Sequence, residues 1–287
     1  MIDELLALDP GRRGIARFFV KGGAAAAARA LARARHTIIV TGFVVVPGAA
    51  ETDGPPGAAV LGRALRALGQ KVTHVTDRVT APLVEAALGA LGEPGDVTVF
   101  DAGSDARAAA QRLLRAVAPS HLVSIECPGR GRDGDYRNAR GLSVKEWNAP
   151  LDELFLVAPR RIVTVGIGDG GNEIGMGNVH ARIGRGSALL RSIASVVKAR
   201  HLIVAGTSNW GAWGVVAELS RIAGRPLLHS ADDERRMVDA CVAAGAVDGL
   251  TRRPEPTVDG LPLAAHIGIL ELLRLSEAPR RAGGSPR

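Results

Sequence analysis

Aromatic residues make up only 3 % of the 287-residue sequence, with a single tyrosine. A protein that grips single-stranded nucleic acid by stacking bases on rings needs more of them. Cysteine is as scarce, with Cys127 and Cys241 the whole complement. That is too few for the disulfide framework of a small secreted scaffold. No uncharged apolar run approaches the roughly 20 residues that span a bilayer. Met1–Pro10 is acidic and lacks the basic stretch and apolar run of a secretory leader. The histidines show no metal-ligand spacing. These absences argue against nucleic-acid and membrane partners and make the cytoplasm the default compartment. A homo-oligomer is left open.

The net charge is +7, and arginine far outnumbers lysine. Much of it sits at Arg12, Arg13, Arg29, Arg33 and Arg35 and in a tail with Arg280, Arg281 and Arg287. These arginines are expected to be solvated surface, with attraction of a small acidic substrate or weak nonspecific binding as the alternative.

What is present is an alternation of short β-rich runs with helical patterns, the signature of βαβ units. Strands are expected at Thr37–Thr41, Lys71–Thr76, Asp96–Asp101, His121–Ile125, Arg161–Gly166 and His201–Ala205. Apolar residues at helical spacing place helices at Ala58–Leu68, Ala81–Leu91, Asp105–Val117, Gly211–Ala223, Asp232–Ala244 and Leu263–Leu275. Ala24–Arg35 is a helix by propensity and is expected to pack outside the sheet. The predicted class is α/β, a mostly parallel, doubly wound sheet with helices on both faces. One domain is expected over residues 1–276, with a disordered basic tail over 277–287.

Four unusual loops follow predicted strands: Glu51–Gly57, Glu126–Gly141, Gly166–Asn178 and Ser208–Gly211. The carboxyl ends of parallel strands share one edge of a sheet. Asp53, Glu126, Asp135, Asp169 and Glu173 are therefore expected to meet in one crevice. An Asp beside Gly is ordinary turn chemistry, which suffices for Asp53 or Asp133 taken singly. Asp169, Asn172 and Glu173 put three oxygen-bearing side chains within five residues, more than a turn requires. Clustered carboxylates repel one another, and an all-oxygen site of this kind suits Mg²⁺ or Mn²⁺. Gly166, Gly168 and Gly171 also fit the dinucleotide pattern G-x-G-x-x-G. Asp169 inside that loop would oppose a pyrophosphate, and the ribose-binding acid is missing about 20 residues on. Cys127 is expected to be a buried thiol, and Trp210 and Trp213 packing residues.

At these four loops the sequence resembles the D-glutamate cyclase-like family, with the Gly168–Gly177 run the most specific stretch. Cys127, Asp135, Arg137 and Val196 depart from the pattern expected there. The resemblance implies cyclisation of D-glutamate to 5-oxo-D-proline with loss of water, assisted by a divalent cation, Mn or Mg. It implies metal ligation by Asp53, Glu126, Asp135, Asp169 and Glu173. Asp169, Glu173 and Asn172 would act on the reacting groups. Arg130 or Arg140 would hold the α-carboxylate, and Asn138 or Asn209 would orient the amine. A metal-dependent phosphatase on a small substrate is the alternative, and a non-catalytic binder of an acidic metabolite a weaker one.

Overall fold

The computed structural model describes residues 1–277. Helices α1 (Ile2–Leu6) and α2 (Gly23–Leu31) precede strand β1 (His36–Thr41). A short antiparallel pair, β2 (Val44–Val46) and β3 (Ala49–Ala50), leads to α3 (Pro55–Ala67). Then follow β4 (Lys71–Thr76), α4 (Ala81–Ala90), β5 (Val97–Val99), α5 (Ala106–Val117) and β6 (His121–Ile125). A long irregular stretch reaches α6 (Glu153–Leu156) and β7 (Val163–Gly168). Short helices α7 (His180–Ile183) and α8 (Ala188–Ile193) precede β8 (His201–Val204). The chain closes with α9 (Ser208–Ala223), α10 (Ala231–Ala243), the two-residue strands β9 (Thr257–Val258) and β10 (Leu261–Pro262), and α11 (Leu263–Ser276).

Six strands form one sheet in the order β5-β4-β1-β6-β7-β8, and every neighbouring pair is parallel. The chain winds outward from β1 through β4 to β5, then returns to the other side of β1 with β6. The winding direction therefore reverses between β1 and β6, and such reversals open a crevice beyond the strands' carboxyl ends.

Alternate strand residues face opposite layers, as the two-residue period of a strand demands. Ile39, Val123, Ile125, Val165, Ile167 and Ile203 pack with residues of α2, α3, α4, α9, α10 and α11. Ile38, Val40 and Leu122 face the other way, onto Ala110 and Leu114 of α5 and Leu154 of α6. Fully burying one such aliphatic side chain contributes roughly 1.5–3 kcal/mol. Trp210 and Trp213 lie wholly inside the first layer, and Cys127 and Cys241 are buried free thiols.

Several boundaries differ from the sequence expectations for identifiable reasons. Strand β7 runs on to Gly168, because Gly166 is a close-packing residue and not a stop. A Cβ there would lie 2.5 Å from the Ile174 carbonyl of the returning loop. Helix α9 starts at Ser208, ahead of the expected Gly211, because the Thr207 hydroxyl accepts from Trp210 N–H at 3.3 Å. Helix α2 ends at Leu31 and packs on α9 and β8. Glu277, expected in the tail, is buried; its carboxylate accepts from Leu227 and Leu228 N–H, both at 2.9 Å. The rest of the expected tail lies outside the described residues.

Candidate active site

Two helix N-termini meet at the reversal point and cap each other. Helix α3 begins after Gly54, with Pro55 and Pro56 supplying the preset backbone angle of a first turn. The Asp53 carboxylate reaches the start of α9, accepting from Ser208 N–H at 2.7 Å and Asn209 N–H at 2.8 Å. Asn209 returns the arrangement: its Oδ1 accepts from Gly54 N–H at 3.0 Å and Gly57 N–H at 2.8 Å. Each helix thus satisfies amide donors left open at the other's first turn. Gly54 sits at φ 106°, where a Cβ would lie 2.6 Å from Thr41 Oγ1, so only glycine fits.

Around this clamp lie buried acids. Glu126, just past β6, adopts φ 43°, a left-handed conformation a non-glycine residue holds only under constraint. Its Oε2 accepts from the Ser208 hydroxyl at 2.5 Å. Glu51 lies against Gly249, where an added Cβ would force the carboxylate to move. Asp169 follows β7. Its loop is shaped by Glu173, whose Oε1 accepts from Asp169 N–H at 2.9 Å and Gly170 N–H at 2.5 Å. Glu173 Oε2 accepts from Gly171 N–H at 2.8 Å.

The cation among these acids comes from the N-terminal segment. Arg13 bridges Asp169 and Asp259, with only 17 % of its side chain exposed. Asp9 holds the turn that carries it, accepting from Arg13 N–H at 2.8 Å and Gly14 N–H at 2.6 Å. Burial works against the Arg13 charge, but Asp169 and Asp259 hold it well above the usual arginine range. One arginine cannot balance the set. Burial, with Asp259 adding to it, pushes Asp53 up to about 8. Burial also holds Glu51, Glu126 and Asp169 well above the ordinary carboxylate range. Acidic neighbours add to this shift, Asp259 and Asp53 for Glu51 and Glu173 for Glu126; Arg13 opposes it at Asp169. Asp53, Asp169 and Asp259 each offer an oxygen within 4.8 Å of the others, as do Glu126, Asp169 and Glu173. Asp169 Oδ2 and Asp259 Oδ2 are buried and have no hydrogen-bond partner among the described residues.

Four of these six acids line a cleft of about 420 Å³. Its lining includes Glu51, Glu126, Asp169 and Asp259, the arginines Arg12, Arg13, Arg17, Arg140 and Arg252, and the apolar Leu189, Leu190 and Ile193.

The sequence-predicted residues divide here. Asp53, Glu126, Asp169 and Glu173 come together as expected, and Asn138, Arg140 and Asn172 line the cleft. Asn172 Nδ2 also donates to the Arg137 carbonyl at 2.8 Å, and Asn138 Oδ1 caps its own turn at Arg140 and Leu142 N–H. Asp135 stands apart, accepting from the Ser143 hydroxyl at 2.7 Å and pairing with Arg137 at 3.2 Å. Arg130 is committed to Asp152 and Glu153, and Asn209 to the helix clamp. Arg13, read as solvated surface, is a buried member of the site. Asp259 and Arg252 were missed. The sequence signal for Arg13 and Asp259 is a glycine-flanked polar turn in each case, Gly11–Gly14 and Asp259–Gly260, and neither follows a strand of the main sheet.

Three comparisons bear on this arrangement. The family model described as D-glutamate cyclase-like, C-terminal, matches residues 2–274. The human protein named D-glutamate cyclase, mitochondrial, is 36 % identical over 234 residues, covering 76 % of this chain. The chain spans 38 % of that relative's length. Among solved structures, an exopolyphosphatase-related protein from Bacteroides fragilis aligns with TM-score 0.46 at 10 % identity, covering 91 % of this chain and 58 % of its own. RecJ from Thermus thermophilus, in complex with Mn²⁺, aligns with TM-score 0.38 at 17 % identity, covering 86 % and 26 %. No helix among the described residues is long and apolar enough to cross a membrane.

Proposed function

Because the chain belongs to the D-glutamate cyclase-like family, we propose that its cleft cyclises D-glutamate to 5-oxo-D-proline with release of water. The observation that carries this reading is the pair of buried, unpartnered carboxylate oxygens of Asp169 and Asp259 beside Arg13, on the wall of an arginine-bearing cleft. The reaction forms a bond from the amine nitrogen to the γ-carboxyl carbon and breaks one carbon–oxygen bond. Two protons must travel from the ammonium to the departing oxygen.

Neighbouring acids of raised pKa suit such a transfer, since an acid and a base are then both available near neutral pH. Asp169 takes the first ammonium proton through its unpartnered oxygen and passes it to the leaving oxygen, while Glu126, whose pKa burial raises, gives that oxygen its second proton and regains one from the amine nitrogen. Arg13 stands where negative charge builds on the tetrahedral centre. Glu173 and Asp53 position this machinery, the first by folding the Asp169 loop and the second by locking the two helices.

The donor set fits a divalent cation: it is all oxygen, under-compensated in charge, and has two oxygens without partners. Asp169 and Asp259 would hold Mn²⁺ or Mg²⁺, with Asp53 and Glu126 beside them. Such an ion supplies a Lewis acid for the γ-carboxylate. The test is incubation with each glutamate enantiomer in the presence of either metal. Loss of primary amine matched by appearance of 5-oxoproline is expected with D-glutamate. Failure of both enantiomers to react sinks the proposal.

A further inference from the structure

Arg252 is held at the cleft by a purpose-built loop. Asp248 is wholly buried and organises the segment from 248 to 260. Its Oδ1 accepts from Leu250 N–H at 2.9 Å and Thr251 N–H at 2.8 Å. Its Oδ2 accepts from the Thr257 hydroxyl and Gly260 N–H, both at 2.7 Å. Several bonds to one carboxylate fix the loop and keep Asp248 below the ordinary carboxylate range despite its burial. Within that frame Arg252 is forced to φ 61°, its N–H tied to the Asp248 carbonyl at 2.8 Å. Arginine gains nothing from a left-handed backbone, and strain of this kind clusters where a side chain must be aimed.

The side chain it aims is unspent. Arg252 Nε is buried and has no partner among the described residues, and the residue lines the cleft. The same loop delivers Asp259 to the acidic cluster. Arg140 Nη2 braces it, donating to the Leu250 carbonyl at 2.9 Å. One rigid segment therefore presents a carboxylate and a guanidinium to the same space. That polarity matches an amino-acid zwitterion, its ammonium toward the acids and its α-carboxylate toward the arginine.

We propose that Arg252 is the specificity-determining residue that binds the α-carboxylate of the substrate, an assignment that rests on the cyclase reading above. A guanidinium pairs with a carboxylate through two parallel N–H bonds, and a buried Nε without a partner is half of that fork. The loss of such a charge-assisted contact weakens binding roughly 10- to 100-fold.

The test compares D-glutamate with its α-amide, D-isoglutamine, which keeps the amine and the γ-carboxylate but loses the α-charge. Both are assayed for turnover and for calorimetric binding, with Mn²⁺ present, on the wild type, Arg252→Met and Arg252→Lys. The wild type is expected to favour D-glutamate. Arg252→Met raises KM for D-glutamate roughly 10- to 100-fold, leaves kcat within a few-fold and removes the preference over the amide. Arg252→Lys recovers part of the preference. An unchanged KM or an unchanged preference in Arg252→Met, with the wild type active, overturns the assignment and leaves the cyclase reading standing. A wild type that neither binds nor converts glutamate overturns the reading and the assignment together. A variant that loses its fold, seen as a lowered melting temperature in Arg252→Met and Arg252→Lys alike, overturns it in favour of a structural role.

Discussion

Arg130 and Arg13 are both partly buried arginines facing two acids each, yet they sit in opposite kinds of chemistry. Arg130 donates through Nε and Nη2 to both oxygens of Asp152, at 2.7 and 2.8 Å, and through Nη2 to Glu153 at 2.7 Å. Asp152 also accepts from Arg130 N–H at 3.1 Å and from the Tyr136 hydroxyl at 2.6 Å. That carboxylate is saturated, and it joins the loop after β6 to the start of α6. Arg13 instead leaves one oxygen of Asp169 and one of Asp259 bare, beside further acids whose pKa values burial raises. A buried polar atom left without a partner costs free energy unless something binds it. Asp152 stabilises the fold although Glu153 Oε2 beside it has no hydrogen-bond partner among the described residues; bare oxygens on a cleft wall are where a ligand or ion is expected.

The sharpest break in that comparison is Asp169→Asn. On the cyclase reading it removes a base and a cation ligand together, so kcat/KM falls about 10²- to 10⁴-fold. The melting temperature of the protein without added metal changes little, because relief of repulsion from Glu126, Asp259 and Glu173 offsets the weakened pairing with Arg13. Steady-state kinetics and a thermal melt measure both. A destabilised but active variant places Asp169 in the structural class with Asp152.

Arg130→Ala is expected to do the reverse. It strands Asp152, whose side chain is wholly buried, and breaking a buried pair from one side costs about 3 kcal/mol. Denaturant unfolding reads the loss, while KM for D-glutamate in the folded fraction stays within about twofold. A raised KM without a loss of stability restores Arg130 to the substrate-binding role expected from sequence.

Why the two arginines could not be told apart in the sequence follows from where their partners lie. The six strands and the loops after them were legible because an apolar run followed by glycine and acid is a local pattern, and parallel strands send such loops to one edge. Asp53, Glu126, Asp169 and Glu173 met for that reason. Arg130 depends on Asp152, which follows it by 22 residues in sequence through an irregular segment with no period. Arg13 and Asp259 reach the site from opposite ends of the chain, on turns that no sheet strand announces. Asn209 looked like a loop amide because Ser-Asn-Trp-Gly is poor helix sequence, yet the Thr207 cap starts α9 at Ser208. Individual commitments depend on tertiary partners; the general location of the crevice depends on topology alone.

Metal addition sharpens the comparison at intermediate size. An ion that binds only the folded site stabilises it by about 2.7 kcal/mol when present at 100 times its dissociation constant. Mn²⁺ or Mg²⁺ is therefore expected to raise the melting temperature of the wild type and of Arg130→Ala equally, and to leave Asp169→Asn unmoved. Activity is expected to vanish in excess chelator and to return with the metal. Full turnover in chelator leaves Arg13 as the cation that answers the acids.

The smallest effect comes from a buried titratable group in neither cluster, and it acts on the acid side. His74 lies under α3, with Nε2 3.3 Å from the Ala58 carbonyl, and burial, aided by the Arg66 charge, lowers its pKa to about 4. The neutral ring with its proton on Nε2 suits this setting, donating to Ala58 and leaving Nδ1 to face Arg66 at 3.5 Å. In the unfolded chain the ring binds a proton near pH 6.5, which the folded protein refuses until about pH 4. Its stabilising contribution is thus complete above pH 6.5 and is lost as pH falls toward 4, with about 2 kcal/mol of it gone by pH 5. The raised acids of the Arg13 cluster have the opposite sign, favouring the folded state as pH falls and losing that benefit as pH rises through their folded values. His74→Gln keeps a donor for Ala58 but does not titrate. Its unfolding free energy, measured from pH 7 to pH 5, is expected to decline less than that of the wild type by about that amount. Parallel declines in the two proteins would move the acid sensitivity away from His74.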